Sequence, residues 1–105
     1  MSKKLVRNKF REAVFKRDNY KCKCCNASPS KEMLDAHHIT DRNEIPMGGY
    51  VRSNGITLCQ DCHLKAEVWH CSDHEEFWGG MHPDDLYKLI GSSLEQATAD
   101  SLKLK

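Results

Sequence analysis

The chain has 105 residues, 30% charged and 39% hydrophobic, which is room for one compact domain with a small core and too little for two. Three Phe, two Trp and three Tyr argue against a disordered chain, and no apolar run approaches the roughly 20 residues of a membrane span. The formal charge of +1 hides an asymmetry: residues 1–25 hold nine Lys/Arg against Glu12 and Asp18, a net of +7, and the rest carries −6. A basic arm of this kind suits a polyanion, although a solvated helix face is the competing explanation. The opening "MSKKLVRNKF" lacks the apolar stretch of a secretory signal, so a cytoplasmic protein without a membrane partner is expected. Six cysteines are then more readily metal ligands or free thiols than disulfides.

Residues 7–17, "RNKFREAVFKR", predict a short helix with Phe10, Ala13 and Val14 on one face. Asp18-Asn19-Tyr20 is turn chemistry. A cysteine-rich knuckle and loop cover 21–32, and "MLDAHHIT" at 33–40 has strand character. Pro46, Gly48 and Gly49 break residues 41–55 into a loop that "ITLC" at 56–59 closes. "QDCHLKAEVWH" at 60–70 predicts a helix, with Leu64 and Val68 on one face and His63, Glu67 and His70 on another. After a loop with Gly79 and Gly80, "HPDDLYKLIG" predicts a third helix, with Pro83 in its first turn and Gly91 at its end. A last helix is expected from Ser93. Phe77, Trp78, Leu86, Leu89 and Ile90 are expected to pack this tail onto the core. There is no internal repeat and no low-complexity linker.

Cys22-x-x-Cys25 and Cys59-x-x-Cys62, separated by 33 residues, are the strongest spacing signal. Two such knuckles supply four thiolates for a tetrahedral Zn²⁺, and a domain this small would draw folding free energy from the ion. Four free or redox-active thiols are the competing reading. Cys24 and Cys71 fall outside the spacing and are read as non-ligands. "HCSDH", with His70, Cys71 and His74, could build another metal site, but a surface cluster is the preferred reading.

Between and beside the knuckles lie His37 and His38, then Asn54, then His63 directly after Cys62. "FREAVFKRDNYKCKCC", "LDAHHIT" and "SNGITLCQDCHLKAE", about residues 9–67, together resemble the HNH nuclease family. The resemblance implies an α+β fold: a small ββα-metal (His-Me finger) core stapled by a four-cysteine zinc site, with flanking N- and C-terminal helices. It implies one HNH nuclease domain over 1–105, with its motif core at about 9–70 and a C-terminal helical extension at about 71–105. By position, His38 matches the general base and His37 a ligand of the catalytic metal. Asn54 matches the Asn that braces the loop, and His63 a second metal ligand. Cys22, Cys25, Cys59 and Cys62 match a structural zinc site of many members. Two departures stand out: Asp41 where many members have Pro, and Asn26 where Gly is frequent.

The activity implied is metal-dependent hydrolysis of DNA, by cutting or nicking, to a 5′-phosphate and a 3′-hydroxyl, with RNA not excluded. A neutral imidazole can take a proton near neutral pH, and a divalent ion (Mg²⁺, Mn²⁺, Ni²⁺ or Zn²⁺) can act as Lewis acid. Glu67, one turn after His63, could complete the metal shell, though a surface carboxylate is the preferred reading. Arg42, Arg52 and the helix residues Lys9, Arg11, Lys16 and Arg17 are the candidate phosphate contacts. Each of these residues alone has an ordinary explanation: a packed imidazole, an Asn-Gly turn, a solvated cation. Their joint order argues for the nuclease over a non-catalytic zinc module that binds nucleic acid or protein. Oligomeric state is open, as is membership of a phage or mobile-element system. Adjacent side chains on a strand point to opposite faces. His37 and His38 can therefore share a cleft with His63 only if the strand bends or ends there.

Overall fold

The computed structural model describes residues 3–104. In chain order it contains α1 (Lys3–Arg17), β1 (Leu34–His38), β2 (Gly55–Cys59), α2 (Gln60–Cys71), α3 (Pro83–Leu89) and α4 (Leu94–Leu102). Short 3₁₀ turns occupy Lys31–Met33, Arg42–Glu44, Pro46–Gly49 and Arg52–Asn54. The fold is α+β, as expected. Among the described residues no helix is long and apolar enough to cross a membrane.

The two strands pair antiparallel, with Leu34 opposite Cys59, His37 opposite Ile56 and His38 opposite Gly55. Paired residues share a sheet face, so the sequence alternation divides the molecule in two. Ile56 and Leu58 join a cluster with Cys22, Ile39, Ile45, Cys62, Ala66, Met81, Leu86, Tyr87 and Ala97. Gly55 and Thr57 turn to α1. A Cβ on Gly55 would lie 2.4 Å from Val14 Cγ2 and 2.7 Å from the Phe10 ring. Only a residue without a side chain lets the helix sit this close.

α1 begins at Lys3, four residues before the expected start at Arg7. Its first turns are Lys, Leu, Val and Arg, most of which favour helix intrinsically and need no buried stripe. Its C-terminal end is held by a clamp. Arg17 Nε donates to Asp18 Oδ1 at 2.7 Å and its Nη atoms donate to Asp18 Oδ2 (2.6 Å), the Arg52 carbonyl (2.6 Å) and the Gly55 carbonyl (2.8 Å). Asp18 Oδ2 also accepts from the Thr57 amide at 3.0 Å. One ion pair thereby joins α1 to the start and middle of β2.

The C-terminal helices follow their sequence signals. His82 Nδ1 caps α3 by accepting from the Asp84 amide, Pro83 stands at its start, and Gly91 follows it with φ +66°. Ser93 caps α4 by accepting from the Gln96 amide. The tail departs from expectation at Leu89 of α3, which is 43% exposed, and at Phe77 and Trp78. Phe77 and Trp78 are about half exposed, at 51% and 54%. They belong to an irregular segment between α2 and α3, where no helical or strand period turns them inward; Leu86, Tyr87 and Ala97 fill the core instead.

Candidate metal and active site

The four knuckle cysteines converge. One sulfur from each of Cys22, Cys25, Cys59 and Cys62 lies within 4.8 Å of the others, and Cys25 Sγ and Cys59 Sγ are 3.7 Å apart. Burial acts to raise the Cys22 thiol. Backbone amides of Cys25, Cys59 and Cys24 directed at its sulfur outweigh that and bring it down to about 7. Four sulfurs gathered this closely, with backbone amides directed at one of them, form a donor set that fits a structural Zn²⁺. Cys24 turns away: its sulfur meets Met81 Sδ at 3.8 Å, and burial pushes its thiol up to about 11. Asn26 adopts φ +64°, the left-handed region in which Asn is the best substitute for Gly. That accounts for one of the two departures.

His37 and His38 diverge, as strand alternation requires. His37 is buried on the α2 side, its ring 5.1 Å from His63 and 5.2 Å from His70. His38 stacks on Phe10 of α1 at 4.4 Å and meets the edge of Tyr50 at 4.9 Å. β1 ends at His38, however, and there a cleft of about 310 Å³ is lined by both imidazoles together with Ala36, Asp41, Arg42, His63, Glu67 and His70. The strand's end lets rings from opposite faces reach one opening.

On the α2 side, His37, His63 and Glu67 each offer a donor atom within 4.8 Å of the others. His37 Nδ1 lies 3.2 Å from Glu67 Oε1 but is not aligned with it, and finds no hydrogen-bond partner among the described residues. His63 Nε2 is 3.0 Å from the same Glu67 oxygen, and its Nδ1 is 3.1 Å from Asp35 Oδ2. Burial lowers the His37 pKa against the pull of Glu67. His63 is raised, chiefly by Glu67 and against its own burial, with Asp35 adding to the rise. The His37 and His63 rings hold Glu67 well below the usual carboxylate range. A buried imidazole nitrogen without a partner, beside a second imidazole and a carboxylate, is a donor set that fits a divalent cation. Glu67 thus faces the two histidines rather than solvent alone. No sequence signal marks Asp35 beyond its period: it stands two residues before His37 on the same strand face, and it orients His63 as a carboxylate orients a metal-binding imidazole.

Across the cleft, His38 Nε2 is buried and finds no partner among the described residues. Burial, and then the Arg42 charge, lower its pKa to about 4, so its ring is neutral at pH 7.

Asn54 is fully buried and makes all four of its hydrogen bonds. Oδ1 accepts from the Thr40 amide (3.0 Å) and the Tyr87 hydroxyl (2.7 Å), and Nδ2 donates to the Thr40 and Gly49 carbonyls (3.2 Å each). Amides only donate and carbonyls only accept, so these partners fix which way the Asn points. Tyr87 spends its proton on Asn54, hence Thr40 Oγ1 donates to Tyr87 at 2.6 Å. Asn54 therefore ties the chain just after His38 to the long loop, with α3 bracing the knot. Tyr87 carries no motif, and sequence reasoning misses it. Gly49, at φ +63°, is required here, since a Cβ would lie 2.5 Å from Asn54 Nδ2.

Among the candidate phosphate contacts, Lys9, Arg42 and Arg52 line one groove of about 670 Å³ with Phe10, Met47 and Tyr50. Arg42 donates to the Tyr50 hydroxyl at 2.9 Å. Lys16 is exposed on α1. Arg17 is committed to the Asp18 clamp, and Arg11 lies 4.9 Å over the Phe15 ring and donates to the Leu34 carbonyl at 3.3 Å.

Residues 22–68 match the family model of the HNH endonucleases. The matched segment holds both knuckles, both strands and His37, His38, Asn54, His63 and Glu67. HNH domains are usually metal-dependent nucleases, with nucleic acid as their partner. No curated protein and no solved structure matches the chain.

Proposed function

We propose that the chain is a metal-dependent HNH endonuclease domain, spanning 1–105, that hydrolyses DNA phosphodiester bonds. The observation that carries this reading is the pairing across one cleft of a neutral, unpartnered His38 Nε2 with the His37–His63–Glu67 donor set. His37, His63 and Glu67 would hold the divalent ion, which supplies Lewis-acid charge to the phosphoryl and leaving oxygens when bound. Cys22, Cys25, Cys59 and Cys62 would hold the structural zinc.

The chain's own residues do the rest. His38 Nε2 takes the proton of the attacking water as its oxygen bonds to phosphorus, and the bond to the 3′ oxygen breaks, that oxygen taking its proton from solvent water. The products are a 5′-phosphate and a 3′-hydroxyl. Phe10 and Tyr50 fix the His38 ring, and Asn54 holds the backbone that follows it. Lys9, Arg42 and Arg52 line the groove beside His38 and suit a passing phosphate backbone, positioning DNA without reading its bases.

The test is conversion of supercoiled plasmid to nicked or linear forms by the zinc-loaded protein with Mg²⁺, Mn²⁺ or Ni²⁺, beside His63→Ala. Cleavage that needs the added ion and is lost in the variant supports the reading. No cleavage with any ion, or equal cleavage by the variant, overturns it.

A further inference from the structure

On the flank of the same cleft is a second group of metal-type donors. Asp41, His70 and His74 each offer one donor atom within 4.8 Å of the others. His70 Nδ1 is 2.9 Å from Asp41 Oδ1, and His74 Nε2 is 3.5 Å from Asp41 Oδ2 and 3.1 Å from Glu44 Oε2. These residues come from the loop after β1, the last turn of α2 and the turn beyond it.

The hydrogen bonding of His70 decides how the cluster reads. Its side chain is nine-tenths buried, and its Nε2 lies 3.2 Å from the His38 carbonyl oxygen. A carbonyl only accepts, so Nε2 carries the hydrogen, and in the neutral ring Nδ1 is a bare lone pair. That Nδ1 is buried and finds no hydrogen-bond partner among the described residues, although Asp41 Oδ1 is close. A proton on Nδ1 would not point at the carboxylate. A cation meets both atoms: two donors each about 2.1 Å from one ion, near right angles, stand about 3 Å apart. A metal-binding His that gives its other N–H to a backbone carbonyl has its ring fixed in the ligating tautomer.

His74 is aimed at the same place. Asp73 and His74 both adopt positive φ, which turns the chain back over α2, and the His74 ring lies flat on Trp69 at 4.7 Å. We infer that Asp41, His70 and His74 form a second divalent metal site, distinct from His37–His63–Glu67, with Glu44 in reach as a further oxygen donor. Two imidazoles and a carboxylate suit a transition ion such as Ni²⁺, Zn²⁺, Co²⁺ or Mn²⁺. Three protein donors leave positions for water or a phosphate oxygen. Asp41 and His70 also line the cleft, so an ion there would sit beside the one proposed above and tie the His38 backbone to the end of α2.

The experiment is Ni²⁺ binding to the full-length, zinc-loaded protein, by equilibrium dialysis with elemental analysis and by calorimetric titration. Wild type should take two Ni²⁺ per chain beyond the zinc. His74→Ala and Asp41→Asn should each take one, His63→Ala should take one, and the His63→Ala/His74→Ala pair none. Circular dichroism of each variant confirms folding. A single Ni²⁺ in wild type that His63→Ala abolishes, no Ni²⁺ at all, or two retained in both His74→Ala and Asp41→Asn would overturn the site. Plasmid cleavage is scored separately, so failure here is distinct from failure of the nuclease reading.

Discussion

Asn54→Ala should be among the most damaging single substitutions in the chain. It deletes two accepted and two donated hydrogen bonds at a fully buried position. Each neutral bond contributes a net of about 0.5–1.5 kcal/mol, and a buried group left unpaired costs about 1–3 kcal/mol. Of the four partners, Tyr87 keeps a second bond through Thr40 Oγ1, and Thr40 is half-buried, so water can reach it. The Gly49 carbonyl is buried and is left exposed to the full penalty. The loss should therefore total about 3–5 kcal/mol, a large share of the roughly 5–15 kcal/mol that holds a domain together. Tyr87→Phe removes one donor to Asn54 and one acceptor from Thr40, and should cost about 1–3 kcal/mol. The assay is urea unfolding at fixed zinc excess, since metal release would otherwise be folded into the midpoint. An Asn54→Ala loss below about 1 kcal/mol would refute the reasoning.

Gly55→Ala drives a methyl into Val14 and Phe10, both core side chains, and should cost about 1–3 kcal/mol by the same urea assay while slowing any cleavage, because Phe10 carries His38. Arg17→Met should lower stability by about 3 kcal/mol, because the Asp18 carboxylate would stay buried without its partner. Lys9→Ala and Arg52→Ala should leave that midpoint unchanged, and each should reduce the salt slope of duplex binding by about 1, read by fluorescence anisotropy. Cys59→Ser, or a strong zinc chelator on wild type, should abolish cooperative unfolding followed by circular dichroism.

The elements are legible where local chemistry governs them. Period, caps and breakers mark the four helices and the first strand, because Phe10 and Val14, Pro83, Gly91 and Ser93 each act on their own neighbours; residues 56–59 read only as the end of a loop, because their strand is set by pairing with β1. The knuckles are legible because zinc chemistry pairs cysteines at that spacing, whereas the roles of His37, His38, Asn54 and His63 are legible only through the family resemblance; His37, His38 and His63 do line one cleft. The missing parts are contacts between distant segments. Tyr87 reaches Asn54 across 33 residues and Asp41 meets His70 across a whole helix, and neither pair leaves a periodic trace. Arg17 resembles a DNA contact because charge in a sequence does not reveal that Asp18 and two carbonyls have already claimed it. The aromatic character of Phe77 and Trp78 argues for burial, yet an irregular segment imposes no inward face.

The central claim is that His38 takes the proton in metal-dependent cleavage, and single-turnover cleavage of a 5′-labelled duplex by zinc-loaded protein with Mn²⁺ tests it most directly. His38→Ala should fall about 10²–10⁴-fold in rate, the range of a general base, with Mn²⁺ stoichiometry unchanged and any residual labelled product still ending in a 3′-hydroxyl. A variant that cuts at the wild-type rate, or one that loses rate only because it has lost the ion, would contradict the assignment.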